Sequence, residues 1–348
     1  MSLSRRALLG AALGAGTLAL TGCARQAEAN TVLDLTAPLP TAVPPGTELK
    51  ISGTQNKLGF ELSGLDRKLP FRVPEWPNIA AGPDVINAFR ARSLDLAGNA
   101  GIPPIQAYGF QLPAKIVAVR LNPKPIYRFA TAPGTAIQSV NDFRGKKIAF
   151  SVGQAQGVVV LRALKAAGIA NNEVTLVPLN SPQFLTALQS RQVDVAPLGS
   201  TDVFKYLRQY EKDGARRIDT DVVDLLSILW APEAVLRDAG KVAAIRAYIP
   251  LWAQVGVWQW EHPDAWIDEY YVKSQGISRQ QGEEIVRDAN KPNYPADWTA
   301  AIAWEQETID LLVQQGFTKP FAAGSLFDRR FEGLAAPAVA AEYRGSPR

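Results

Sequence analysis

The chain has 348 residues, 47% hydrophobic and 20% charged, with a formal charge of +4. These proportions exclude a disordered or fibrous protein, and the length favours two lobes over a single core. Without the first 22 residues, which hold Arg5 and Arg6 and no acid, 35 basic side chains face 33 acidic ones. No basic block is interleaved with aromatics, which argues against nucleic acid as a partner.

The first element is an export signal. Arg5 and Arg6 precede an apolar run, Ala7 to Leu20, too short to span a bilayer comfortably and right for a secretory signal. Arg5-Arg6 with Leu8 and Leu9 resembles a twin-arginine signal, and Leu20-Thr21-Gly22-Cys23 resembles a bacterial lipobox. That pattern implies cleavage before Cys23 and diacylation of Cys23, with two acyl chains giving a stable anchor. Residues 1–22 are then the signal and 23–46 a flexible tether. The mature protein is expected at the outer face of the cytoplasmic membrane or in the periplasm. Cys23 is the only cysteine, so no internal disulfide forms.

From Glu48 short β-like runs alternate with helical ones, the pattern of an α/β protein with largely parallel sheets. "ELKISG" and "PFRVPEW" read as strands, "GPDVINAFRARS" as a helix, "LDLAG" as a strand and "IPPIQAYG" as a helix; "KIVAVRLN" and "YRFATA" lead out of this unit. A second unit follows. Lys147–Ser151 reads as a strand, Gln156–Ala167 as a helix stopped by Gly168, and "VTLVPL" as a strand. Then come a helix with Ser181 as N-cap, "VDVA", and the helix "STDVFKYLRQYEK". "DVVDLLSILWAP" reads as a long strand leading back. The rest is helical: Pro232–Gln259, Pro263–Gln275, Ser278–Ala289 with a Ser278/Gln281 capping box, and Asp297–Gln315 before Gly316. "SLFDRRF" closes the folded part.

One segment occurs twice. Ala88, Arg92, Asp95 and Ala97 recur as Ala187, Arg191, Asp194 and Ala196, each copy a helix, a strand and a turn into another helix. A helix that starts at the carboxyl edge of a parallel strand presents unpaired N–H groups and a positive dipole end there. Ligands of open α/β sheets bind outside that edge. Two such units suit one cleft built from two halves.

The order of "GPDVINAFRARSLDLAGNAGIPPI", "SVNDFRGKKIAF.VGQAQGVVVLRALKAAGI" and "VTLVPLNSPQFLTALQSRQVDVAPLG" resembles the solute-binding proteins of ABC importers for nitrate, taurine and aliphatic sulfonates. The resemblance runs from about Lys50 to "SLFDRRF". It implies a type II periplasmic-binding fold: two α/β lobes, a ligand cleft between them, and two crossover strands, for which "YRFATA" and "LLSILW" are the candidates. Lobe I would comprise 47–128 and 228–335, lobe II 129–227, and 336–348 a tail. The partners implied are a small, anionic organic solute and a membrane permease. The chain is expected to be a monomer with no cofactor. A ligand sensor signalling to a receptor is the alternative within the same fold.

The family's ligand loops map onto Gln55 and Asn56, Ala81 and Gly82, and Asn99, Gly101 and Ile102 in lobe I. In lobe II they map onto Gln154, Ala155 and Gln156, and onto Gly199, Ser200 and Thr201. Trp230, ending the return strand, is placed against the ligand. The chain departs from the family at Gly153-Gln154-Ala155, where hydroxyl residues are usual, and at Pro197-Leu198, where an aromatic is. Amides serve neutral or zwitterionic ligands as well as anions.

An enzyme on this fold, related to thiamine-pyrimidine synthesis, is the less favoured alternative. His262 is the only histidine, and it sits before Pro263 as a surface cap. A Cys/His metal site is excluded, any Ser-His-Asp triad would have to use His262, and no phosphate-binding glycine motif is present.

Overall fold

The computed structural model describes residues 32–79 and 81–345. The signal residues and Cys23 lie outside the described residues.

Two sheets organise the chain. The first has the order β1–β8–β2, where β1 is Ala97–Ala100, β2 Ala114–Leu121 and β8 Leu226–Pro232, all neighbours antiparallel. Parallel bridges Ile51↔Leu96 and Glu48↔Arg72 extend it. The second sheet has the order β5–β4–β6–β3–β7: β3 Tyr127–Thr131, β4 Lys147–Phe150, β5 Thr175–Pro178, β6 Val195–Gly199 and β7 Arg217–Ile218. There β4 runs parallel to β5 and β6, and β3 antiparallel to β6 and β7. The chain passes between sheets twice, from β2 to β3 and from β7 to β8. In each sheet the arriving strand runs against its neighbours. We call the halves lobe I and lobe II.

The helices are α1 (Thr54–Ser63), α2 (Gly82–Arg90), α3 (Ile102–Gly109), α4 (Ala155–Ala166), α5 (Phe184–Gln189) and α6 (Ser200–Tyr210). After β8 come α7 (Glu233–Leu236), α8 (Ala239–Glu261), α9 (Pro263–Trp266), α10 (Arg279–Asp288) and α11 (Thr299–Gln314). A π-helical turn, Ile267–Ser274, links α9 to α10.

The repeated segment has a structural explanation. In each copy the helix ends on an arginine in the left-handed region, Arg92 at φ 55° and Arg191 at φ 57°. The next amide returns to the repeated alanine, Ser93 N to Ala88 O (3.0 Å) and Gln192 N to Ala187 O (2.9 Å), a helix-terminating closure. Each aspartate then clasps the neighbouring strand by two bonds. Lys50 N donates to Asp95 Oδ2 (2.9 Å) and Asp95 N to Lys50 O (2.9 Å). Lys147 N donates to Asp194 Oδ2 (2.8 Å) and Asp194 N to Lys147 O (2.8 Å). The repeat fixes where each strand enters its sheet, at the end away from the helix heads.

Several sequence expectations need correction. "ELKISG" and "PFRVPEW" form only isolated bridges, since Pro70 and Pro74 remove ladder donors from the second of them. The long return strand begins at Leu226, and the 232–259 helix breaks at Arg237 before Asp238 caps α8. The turn before α5 starts at Asn180, whose N–H donates to Gln183 Oε1 (2.9 Å), rather than at Ser181. Residues 32–46 are no loose tether: Val32 bridges Asp238, Leu33 N donates to Arg237 O (2.8 Å), and Leu35, Leu39 and Val43 pack on the core. Nor is 336–345 a tail. Tyr343 is buried and its hydroxyl donates to Glu261 Oε1 (2.9 Å).

Candidate functional site

Five helices, α1, α2, α3, α4 and α6, start at Gly53, Ala81, Gly101, Gln154 and Gly199, and none has a side-chain cap. The same holds for α5, α7, α9 and α11, whereas Asp238 caps α8 and Ser278 caps α10 through its side chain. An uncapped head keeps first-turn N–H groups and a partial positive charge for another partner.

Two of these heads, from different lobes, open into one cavity of about 520 Å³: Gln55 at α1, and Gly199, Ser200 and Thr201 at α6. The β2–β3 crossover supplies Arg120, Asn122 and Tyr127, α8 supplies Gly256, Gln259 and Trp260, and the π-helical turn Tyr270 and Tyr271.

Three arginines line it, and two are neutralised. Arg128 Nε pairs with Asp219 (2.7 Å), and Arg217 with Asp219 (3.2 Å) and Glu284 (3.3 Å). Arg120 pairs with no carboxylate among the described residues. Its Nη2 makes a long bond to Ser227 Oγ (3.4 Å) and its Nε is buried without a partner. Tyr294 stands beside it, its phenol raised by burial. Gly256 permits that approach, because a Cβ there would overlap the Tyr294 hydroxyl. A guanidinium without a carboxylate partner suits an anion. In the first turn of α6, Asp202 brings a carboxylate that forms no ion pair among the described residues; burial raises it, with Lys205 opposing. Burial, then Tyr271 and Asp202, push Tyr270 up to about 12.

Of the residues mapped from the sequence, Gln55, Gly199, Ser200 and Thr201 line this cavity. The rest lie elsewhere. Trp230, placed against the ligand from the sequence, is fully buried, edge-on to Phe89, and its Nε1 donates to Asn99 Oδ1 (2.8 Å). The Gln154 side chain is only 5% exposed and is used within lobe II. Its Oε1 accepts from Ser151 Oγ (2.7 Å) and Ser181 N (2.8 Å), and its Nε2 donates to Ser181 Oγ (2.8 Å). Ala155 is buried and Gln156 half-buried beside it. Gly82 and Ala81 are buried where the lobes touch: a Cβ on Gly82 would stand 2.6 Å from Gly153 O. Gly101 lies against Glu305, and Ile102 faces a separate, more apolar groove with Tyr108, Phe110 and Phe317. Asn56 turns back to Ser52 O (3.2 Å). Sequence reasoning missed Arg120 and Asp202; a lone cation near the end of the apolar run "KIVAVRL" was the available signal.

No group of three or more metal-ligating side chains occurs among the described residues, and no described helix is long and apolar enough to cross a membrane.

This architecture is that of the periplasmic binding proteins. Residues 84–225 match the family described as NMT1/THI5 like. The chain is 32% identical over 154 residues to the "Putative aliphatic sulfonates-binding protein" of Escherichia coli (strain K12). That match covers 42% of this chain and 47% of the relative, so the chain spans about half the length of the curated relative. The alkanesulfonate-binding protein SsuA from Xanthomonas axonopodis pv. citri, bound to MOPS, superposes with a TM-score of 0.68 at 19% identity, over 89% of this chain and all of that one. The periplasmic aliphatic sulphonate binding protein SsuA from Escherichia coli gives 0.63 at 22% identity, over 80% and 91%. The desulfurization enzyme DSZB has the same fold at a TM-score of 0.54 and 15% identity. The chain thus has a periplasmic-binding fold whose residues 84–225 are similar to the NMT1/THI5-like family, and the resemblance read from its sequence to sulfonate-binding proteins of ABC importers is borne out.

Proposed function

We propose that this protein is an extracytoplasmic solute-binding lipoprotein that captures a small sulfonate-like organic anion and delivers it to an ABC import permease. The observation that carries the reading is Arg120, a cation without a carboxylate partner in a cavity shared by helix heads of both lobes. The names of the E. coli and Xanthomonas relatives support the same ligand chemistry. In this reading Cys23 carries the lipid anchor, the chain acts as a monomer, and binding proceeds without catalysis. Asp202 favours a second version of the ligand, a zwitterion whose ammonium faces that carboxylate while its sulfonate faces Arg120.

Thermal unfolding against alkanesulfonates, taurine, MOPS, sulfate and nitrate tests the proposal. A ligand at about 1,000 times its Kd adds roughly 4 kcal/mol, a shift of several degrees for a chain of this size. Replacing Arg120 by Ala should weaken the best binder on the order of 10- to 100-fold, the worth of a charge-assisted bond. A preference for taurine that disappears in Asp202→Asn selects the zwitterion. If none of these anions moves the melting point, the sulfonate reading is wrong.

A further inference from the structure

A buried charge cluster lies beside the cavity, where the lobes meet, and none of its three charged residues lines that cavity. Arg162 projects from α4; its Nη2 donates to Thr308 Oγ1 (2.9 Å) and its guanidinium lies 3.8 Å from the Trp304 ring centroid, both on α11. Glu305, from the same stretch of α11 and 1% exposed, sets its carboxyl so close to Gly101 at the head of α3 that a Cβ on Gly101 would overlap it. Asp224, 7% exposed, comes from the segment joining β7 to β8. Arg162 Nε, Glu305 Oε1 and Asp224 Oδ2 are all buried without hydrogen-bond partners, and no ion pair joins the three among the described residues.

One cation therefore serves two carboxyls in a water-poor interior, where two ionised acids are costly. Burial, then the Asp224 carboxyl, push Glu305 up to about 8 against the pull of Arg162. Burial pushes Asp224 up to about 7, again opposed by Arg162. Arg162 itself is lowered by burial, with Glu307, Asp224 and Glu305 opposing. Tyr127 on β3 faces Asp224, and burial and that carboxyl raise its phenol. No residue of α3 carries a charge.

We propose that this cluster is a proton-dependent latch between the lobes. With its acids uncharged the cluster keeps Arg162 of α4 seated on Thr308 and Trp304 of α11, across the two lobes, and a second negative charge buried there loosens that closure. The proposal is independent of which solute the protein binds. Both acids have folded values above their ordinary ones, so the stability present at low pH is lost as pH rises toward and through those values.

Small-angle scattering and thermal unfolding of the purified full chain at about pH 5.5 and about pH 8.5 bracket that range. The wild type should expand at the higher pH, with its Tm falling on the order of 5 °C. Glu305→Gln, neutral at both pH values, should stay compact and lose most of that dependence; Asp224→Asn should lose part of it. An unchanged wild-type radius, or a full wild-type pH dependence in Glu305→Gln, overturns the latch. Should Glu305→Gln fail to fold, the wild-type radius and Asp224→Asn decide.

Discussion

The two copies of the repeated segment fold alike and end differently. In both, a left-handed arginine closes a helix and an aspartate clasps the adjoining strand. After Ala97 the chain enters Gly101-Ile102-Pro103-Pro104, a helix head buried beneath Glu305; after Ala196 it enters Gly199-Ser200-Thr201, a helix head that lines the cavity. Repetition thus belongs to the scaffold, and the difference in use lies in the few residues at the far end of each strand. One head is engaged by the protein's own carboxyl, the other opens into the cavity.

The clasps themselves differ in burial, and removing them gives the largest expected effect. Asp95 is 6% exposed and also accepts from Lys241 Nζ (2.6 Å), whereas Asp194 is half-buried and forms no ion pair among the described residues. Asp95→Ala leaves both the Lys50 N–H and the Lys241 ammonium without their partner, a loss of about 3 kcal/mol. Asp194→Ala should cost about 1.5 kcal/mol, the strand amide alone. Chemical denaturation of both variants measures this; equal losses would mean that the Lys241 pair contributes nothing.

Next in size is the contrast between the helix heads. Gly101→Ala forces a methyl into the Glu305 carboxyl, an overpacking that costs about 2 kcal/mol. Gly199→Ala meets nothing within 4 Å and has an ordinary backbone, φ −68°, so its stability should stay within about 0.5 kcal/mol. Comparable melting points for the two variants would contradict the assignment of one filled head and one open one. Gln154→Ala lies between them: it deprives Ser151 and Ser181 of their shared partner, a loss of about 1.5 kcal/mol. Solute affinity should persist in it at a temperature where it remains folded, since no cavity-lining side chain changes.

This contrast also marks what the sequence could tell. The alternation of elements, the two crossover strands and the helix heads after β1 and β6 were legible, because turn chemistry and apolar period are local. The ordering of residues 32–46 and 336–345 was not, since a proline-rich or small-residue stretch acquires order only from distant partners such as Arg237 and Glu261. Gln154 had the right position and the wrong role: its amide reads as a ligand donor until Ser151 and Ser181 are seen around it. Arg120 and Glu305 were missed for a related reason. A charge in an amphipathic pattern reads as solvent-facing, and only the packing of α8 and α3 over them reveals burial.

The smallest effect sharpens the likeness rather than the difference. Arg92 and Arg191 are exposed, occupy the left-handed region, and form no ion pair among the described residues. A side chain there costs about 1–2 kcal/mol. Glycine removes that cost but loses about 0.5–1 kcal/mol more chain entropy on folding. Arg92→Gly and Arg191→Gly should therefore each stabilise by about 0.5 kcal/mol, a rise in Tm of about 1–2 °C. Because the two closures have the same geometry, the two increments should match and should add in the double variant, the sites belonging to different lobes. A gain at one site and a loss at the other would show that one arginine has a contact in solution that its counterpart lacks, and the structural equivalence of the two copies would end at the backbone.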